Sequence, residues 1–371
     1  MVHRIVVVGA GYAGVSAALR LARRLDPARF PVTVVTEHDR FVERIRLHQH
    51  AAGRRLRDRP LGPLFAGSGV RLVVGRAVAV DPAARTVELE DGALGYDDLV
   101  LAVGSGPDFH GVPGAAEHAL PVAGLAGATA IAARLDGGTV RRVTVVGGGL
   151  TGTETAAELA ESRPTLEVSL VTAGALGDGL SSRGREYLRR SLRARGVAVH
   201  EDRRVLGVGP DAVTLEGEHL PTDLTVWAAG FRAPDLLRDA GLAVDDRSRV
   251  VVDDLLRPAG HPAIHVVGDA AAAPGPGGSS SRMSCQTGLP MGVHAGTSLA
   301  RTLRGGEPRP IRLRYVWQNV GLGRADGVTQ FTAADDRPLD RVLTGRASAS
   351  FKEVIARSAG WMALHPGRGT R

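Results

Sequence analysis

Cysteine is all but missing. Cys285 is the single thiol in 371 residues, which rules out an internal disulfide and any two-cysteine redox centre. Lysine is as scarce: Lys352 stands alone among 46 basic side chains, so the positive charge is otherwise all arginine. Those arginines are spread along the chain, and a net charge of +7 without clustering carries no nucleic-acid footprint. An anionic membrane surface or a phosphorylated ligand stays compatible with that charge. No uninterrupted apolar run nears the roughly 20 residues of a membrane span, and no charged leader precedes the first strand at Arg4, so the chain reads as cytoplasmic. The 12 histidines are scattered, with no cysteine cluster beside them, and no metal site is expected. No serine stands in a GxSxG elbow, so nothing supports a hydrolase.

Glycine is what the chain has in quantity, and it is placed twice in the same way. IVVVGAGYAGVSAALRLAR (Ile5 to Arg23) and VTVVGGGLTGTETAAELAE (Val143 to Glu161) align without a gap, with three glycines, two valines, two alanines and a leucine in common. In the first copy an apolar strand runs into Gly9-x-Gly11-x-x-Gly14, with Tyr12 and Ala13 inside the loop, and then into a helical pattern. That is the context of a dinucleotide-binding loop. Its first glycine makes the tight turn, its second lets backbone approach a pyrophosphate, and its third packs helix on strand. The pyrophosphate then rests on the helix N-terminus. The next strand, Val32 to Val35, is followed by Glu37, 23 residues past Gly14 and near the distance of about 20 expected for a carboxylate that bonds an adenosine ribose. The second copy has Gly147, Gly149 and Gly152, but its second strand ends in Thr172-Ala173-Gly174 with no acid. Without that carboxylate the second site need not reject a 2′-phosphate, so NADH and NADPH both stay open. Two dinucleotide loops in one chain predict two nucleotides that meet, most simply FAD and a nicotinamide.

Three further segments carry a family resemblance: YDDLVLAVGS (Tyr96 to Ser105, with Ala102 and Gly104), DLTVWAAGF (Asp223 to Phe231, with Gly230) and HPAIHVVGDAA (His261 to Ala271, with Gly268-Asp269). From Arg4 to about Lys352 the chain resembles the pyridine nucleotide-disulfide oxidoreductase superfamily, in its type II NADH dehydrogenase-like and apoptosis-inducing-factor-like branch. The resemblance implies that the Asp269 carboxylate bonds the flavin ribityl chain. It puts Glu154 on an acidic position of the nicotinamide helix, where it holds the nicotinamide side or moves a proton. It sets Arg44 and His48, in RIRLHQHAAG, beside the flavin ring. Gln286, in CQTG, falls on a position near flavin and acceptor, while Cys285 and Gly288 depart from the family's AQxA pattern. His48 and His50 can hydrogen-bond the ring or move an acceptor proton, and a covalent histidyl flavin is left open.

The fold expected is α/β. It has two Rossmann-like dinucleotide-binding domains, for FAD and for NAD(P), the second inserted in the first, and a small α+β C-terminal domain. Residues 1–108 and 245–304 form the flavin domain, 109–244 the NAD(P)H domain and 305–371 the C-terminal one. The proline- and glycine-rich stretch 274–282 is expected to hold neither helix nor strand. The segment from Ser348 to Leu364 reads as a basic amphipathic helix carrying Phe351, Val354, Ile355, Trp361 and Met362. Such a stripe packs on its own protein or lies in a membrane interface, as related quinone reductases use theirs, and a homodimer is equally open.

By this reading the chain is a ping-pong FAD-dependent NAD(P)H dehydrogenase with Glu154, Gln286 and His48 as catalytic candidates. A quinone-like acceptor takes electrons straight from the flavin. The alternatives are a flavoenzyme of specialised metabolism acting on one small molecule and a redox-signalling flavoprotein with little turnover.

Overall fold

The computed structural model describes residues 1–365. The chain begins with β1 (Ile5–Val8), α1 (Tyr12–Ala22) and β2 (Val32–Thr36), followed by α2 (Leu47–Ala51), β3 (Val70–Val74) and β4 (Asp98–Leu101). A second series comprises β5 (Ala119–Pro121), β6 (Arg142–Val146), α3 (Leu150–Ser162), β7 (Glu167–Val171), α4 (Ser182–Ala194), β8 (Ala198–His200) and β9 (Leu224–Trp227). Then come β10 (Ile264–Val266), α5 (Cys285–Leu303), β11 (Trp317–Gly321), β12 (Gly327–Thr332), β13 (Pro338–Thr344) and α6 (Gly345–Leu364).

The repeat seen in the sequence is a repeat of topology. One five-stranded sheet has the order β3-β2-β1-β4-β10 and another β8-β7-β6-β9-β5, with all strand pairs in both parallel. Ile5 stands opposite Val32 and Asp98, and Val143 opposite Val168 and Leu224. β1, β4 and β9 are buried at every position. Parallel sheets are covered on both faces, so their strands are continuously apolar rather than alternating. The copies even share a three-stranded antiparallel insert after the third strand, at 77–95 in one and 205–221 in the other. They differ in the outermost strand. The second sheet takes β5 from just before itself, whereas the first takes β10 from beyond the whole of the second.

Glycine lets α5 lie directly on α1. A Cβ on Gly292 would strike the Ala13 backbone, and one on Gly296 would come within 2.7 Å of the Ala17 carbonyl. Gly288, the residue that breaks the AQxA pattern, belongs to the same face, 3.4 Å from the Gly268 Cα when given a Cβ. In the stretch 274–282 the expectation of no regular structure needs a correction. Pro276–Gly278 form one 3₁₀ turn, and Pro274 bridges Ser280, because Gly277 takes a left-handed φ of +67° that folds the segment back.

Candidate active site

The two glycine loops repeat each other's sterics. In the first, Gly9 has φ +103° and its absent Cβ would strike the Ala102 carbonyl, while a Cβ on Gly14 would strike the carbonyl of Gly9. Gly11 alone faces open space. In the second, Gly147 (φ +118°) abuts the Ala228 backbone and Gly152 abuts Gly147, and Gly149 is the open one. Each loop therefore closes strand onto helix through its outer glycines and leaves the middle one bare, where a diphosphate can approach the N-terminus of α1 or α3.

In front of the first loop lies a cleft of about 700 Å³, whose lining includes Gly9, Gly11, Glu37, Arg44, Ala102 and Gly104. Six of the expected cofactor residues thus share one cavity. Glu37 stands at its rim with Arg76 Nε 3.5 Å from its carboxylate. On the other side, Arg44 Nη2 donates to the Ser105 hydroxyl at 3.2 Å, and that hydroxyl donates to the Asp269 carboxylate at 2.7 Å. Gly268, at φ +73° and packed against Ala13, turns the chain so that Asp269 reaches this array. In the sequence Ser105 is visible only as the last residue of the strand-and-turn segment that begins at Tyr96.

In the second loop Gly147, Gly149, Gly152 and Thr172 gather at the ends of β6 and β7, the Thr172 side chain packed against Gly148. Gly230 sits beside the His110 ring, whose Nε2 lies 2.9 Å from the Ala229 carbonyl.

A third cluster joins elements far apart in sequence. The Glu154 carboxylate, on α3, is buried and accepts from the Gly321 N–H at 2.9 Å and from the Lys352 ammonium on α6. His48 Nδ1, on α2, is 3.6 Å from its other oxygen. Burial by itself would raise the Glu154 carboxyl, but the Lys352 ammonium, with His48 and the Gly321 N–H, holds it below the usual carboxylate range. Burial pushes the His48 imidazole down to about 4 against the pull of Glu154, so it is neutral at pH 7. His50 is turned elsewhere, Nδ1 to the Arg54 carbonyl and Nε2 to the Thr129 hydroxyl. Gln286, half-buried in the first turn of α5, has an amide bonded to no protein group among the described residues. Burial, with the Asp269 charge, raises the neighbouring Cys285 thiol to about 11, so it is protonated at neutral pH and a poor nucleophile. Tyr12 packs edge-on against Phe41 at 5.0 Å, with its phenol pushed up by burial.

The family model for pyridine nucleotide-disulphide oxidoreductases matches residues 3–300. The chain belongs to that family. It is 35% identical over 347 residues to an NADH dehydrogenase-like protein of Mycobacterium tuberculosis, covering 88% of this chain and 87% of that one. It is 25% identical over 389 residues to the type II NADH:quinone oxidoreductase of Staphylococcus epidermidis, covering 95% and 94%. The sulfide:quinone oxidoreductase of Aquifex aeolicus has the same fold, with a TM-score of 0.83 at 20% identity over 98% of this chain and 92% of the other.

The chain is a pyridine nucleotide oxidoreductase with the two parallel α/β sheets that the sequence leads one to expect. Lys352 is the functional candidate that reading missed as such. In the sequence it is one cation of a basic amphipathic segment, and no local spacing links it to Glu154, 198 residues away. Its one available signal was its isolation in a chain that otherwise uses arginine. The stripe on α6 is also divided. Phe351 is packed edge-on against Trp317 at 5.3 Å and Ala356, Ala359 and Ala363 are buried, while Val354, Trp361 and Met362 face outward. Among the described residues no helix is long and apolar enough to cross a membrane.

Proposed function

We propose that the protein is an FAD-dependent NAD(P)H dehydrogenase that delivers electrons to a quinone-like acceptor. The observation that carries this reading is the doubled loop, with a bare middle glycine and sealed outer ones in each copy. The first loop, Glu37 and the Arg44–Ser105–Asp269 array suit FAD, with a carboxylate for ribose and a fixed acid for ribityl hydroxyls. The second suits a nicotinamide dinucleotide that comes and goes. FAD supplies, when bound, the capacity to take a hydride from nicotinamide C4 and to release its electrons to a second substrate. The protein's own part is to align the two dinucleotides and to manage a proton. Glu154 and Lys352 form a buried acid–base pair, and neutral His48 adjoins it with an imidazole able to accept a proton. The two relatives named for quinone support that acceptor class, as does a lone, protonated thiol, which leaves no dithiol to stand between flavin and substrate.

The reading divides the chain into a flavin domain (1–108 and 245–304), an NAD(P)H domain (109–244) and a C-terminal domain (305–371) whose last residues, 366–371, lie outside the described ones. The outward Val354, Trp361 and Met362 would be the surface for peripheral membrane contact. The departures at Cys285 and Gly288 and the acid missing from Thr172-Ala173-Gly174 keep a flavoenzyme of specialised metabolism as the second reading. Anaerobic mixing of the yellow protein with NADH or NADPH should bleach the oxidised flavin, and a quinone should then restore the colour. Flavin that neither nucleotide bleaches would refute the proposal.

A further inference from the structure

The two copies of the nucleotide fold can be laid on each other through their hydrogen bonds, and they differ at one informative place. In the first, the Thr36 carbonyl at the end of β2 accepts from the Gly75 N–H at 2.8 Å, just past β3. In the second, the Thr172 carbonyl at the end of β7 accepts from the Arg203 N–H at 2.9 Å, just past β8. The second crossing is one residue longer, and Asp202 takes up the excess at φ +53°. Gly75 thus corresponds to Arg203, Arg76 to Arg204, and Glu37 to Ala173. In the first copy Glu37 and Arg76 face each other at 3.5 Å. In the second the carboxylate is gone and the arginine has been kept, with another beside it.

Arg203 and Arg204 are exposed, and neither guanidinium bonds a protein group among the described residues. Two acids precede them on the same loop. Glu201 is held by Arg189 Nε at 2.8 Å and by the Leu176 N–H at 3.0 Å, and Asp202 occupies the extra position. In a fold of this kind the residue after the second strand meets the adenosine ribose. A carboxylate there bonds the 2′-hydroxyl and repels a 2′-phosphate, and an arginine nearby accommodates the phosphate. Guanidinium groups suit that dianion because their forked donors match phosphate oxygens.

We infer that the hydride donor is NADPH rather than NADH, with Arg203 and Arg204 holding the 2′-phosphate that Ala173 no longer repels. This rests on the dehydrogenase reading above and narrows its donor, against what the names of the relatives would suggest. The C4–H bond of NADPH would break with its hydrogen leaving as hydride, nucleus and bonding pair together, so that NADP⁺ remains and bound oxidised flavin, the acceptor, is reduced by two electrons.

The test uses the flavin-loaded protein and two readouts. Calorimetric titration should show NADP⁺ binding about tenfold or more tighter than NAD⁺, and NADPH should bleach the flavin at lower concentration than NADH. The double variant R203A/R204A should lose that margin with NAD⁺ binding unchanged. A173E, which restores the pair of the first copy, should favour NAD⁺. Equal or tighter binding of NAD⁺ by the unmodified protein would overturn the inference, and so would a margin that survives R203A/R204A. Preferential NADP⁺ binding without bleaching by either nucleotide would refute the dehydrogenase reading and leave the 2′-phosphate site standing.

Discussion

Removing the Lys352 ammonium would leave the Glu154 carboxylate buried with the Gly321 N–H as its one remaining hydrogen-bond donor among the described residues. Breaking a buried ion pair on one side costs about 3–5 kcal/mol, whereas replacing both partners by neutral groups is far milder. Lys352→Ala is therefore expected to lower the urea midpoint strongly, and E154Q/K352M to recover most of the loss. If the single variant were as stable as the unmodified protein, the pair would be carrying no structural load. The buried histidines set the acid limit. His48 and His265 are both pushed down to about 4 by burial, while an unfolded chain binds those protons near pH 6.5. Between those values the unfolded state holds more protons, so stability is fully present above about 6.5 and falls as pH drops towards 4. The loss is on the order of 3 kcal/mol per histidine. His48→Gln should flatten roughly half of that slope in denaturant titrations at pH 4.5 to 7. At this scale the glycines were legible in the sequence, because each does a backbone job that no other residue does. Lys352 and Ser105 were not, because their partners are brought to them by the fold.

At the scale of elements, the contact of α5 with α1 decides whether the first loop keeps its shape. Gly292→Ala would drive a methyl into the Ala13 backbone, which cannot move without shifting the loop it ends. Overpacking of this sort costs about 1–3 kcal/mol. The variant is expected to retain flavin weakly after gel filtration and to melt earlier. Gly288→Ala meets its neighbour at 3.4 Å, ordinary van der Waals contact, and should fold and keep its flavin. A reversed order of the two would show that the glycine face is not what seats the helix. The paired strands, loops and helices of both copies could be read from apolar runs and glycine spacing. The three-stranded inserts at 77–95 and 205–221 could not, since short half-exposed strands carry little periodic signal.

At the scale of the molecule, the C-terminal elements are tied to both nucleotide units. Glu353 of α6 pairs with Arg46 at 2.9 Å, Lys352 with Glu154, and Asp326 with Tyr187 and Ser191 on α4. Thermal unfolding followed by flavin fluorescence and by far-ultraviolet circular dichroism should therefore trace one transition. Flavin released well before the loss of helix would mean that the units melt separately.

The order of manufacture adds a last consequence. The first sheet is not complete until β10 has been made, and α1 lacks its cover until the glycine face of α5 arrives, long after the second sheet has everything it needs. Gly296 follows the end of α1 at Ala22 by 296 − 22 = 274 residues, and at ribosomal speeds of about 5–20 residues per second the wait of α1 for its cover is on the order of half a minute. The later of the two glycine loops is thus finished first, and the earlier one, though translated at the outset, waits half-built until nearly the whole chain has emerged.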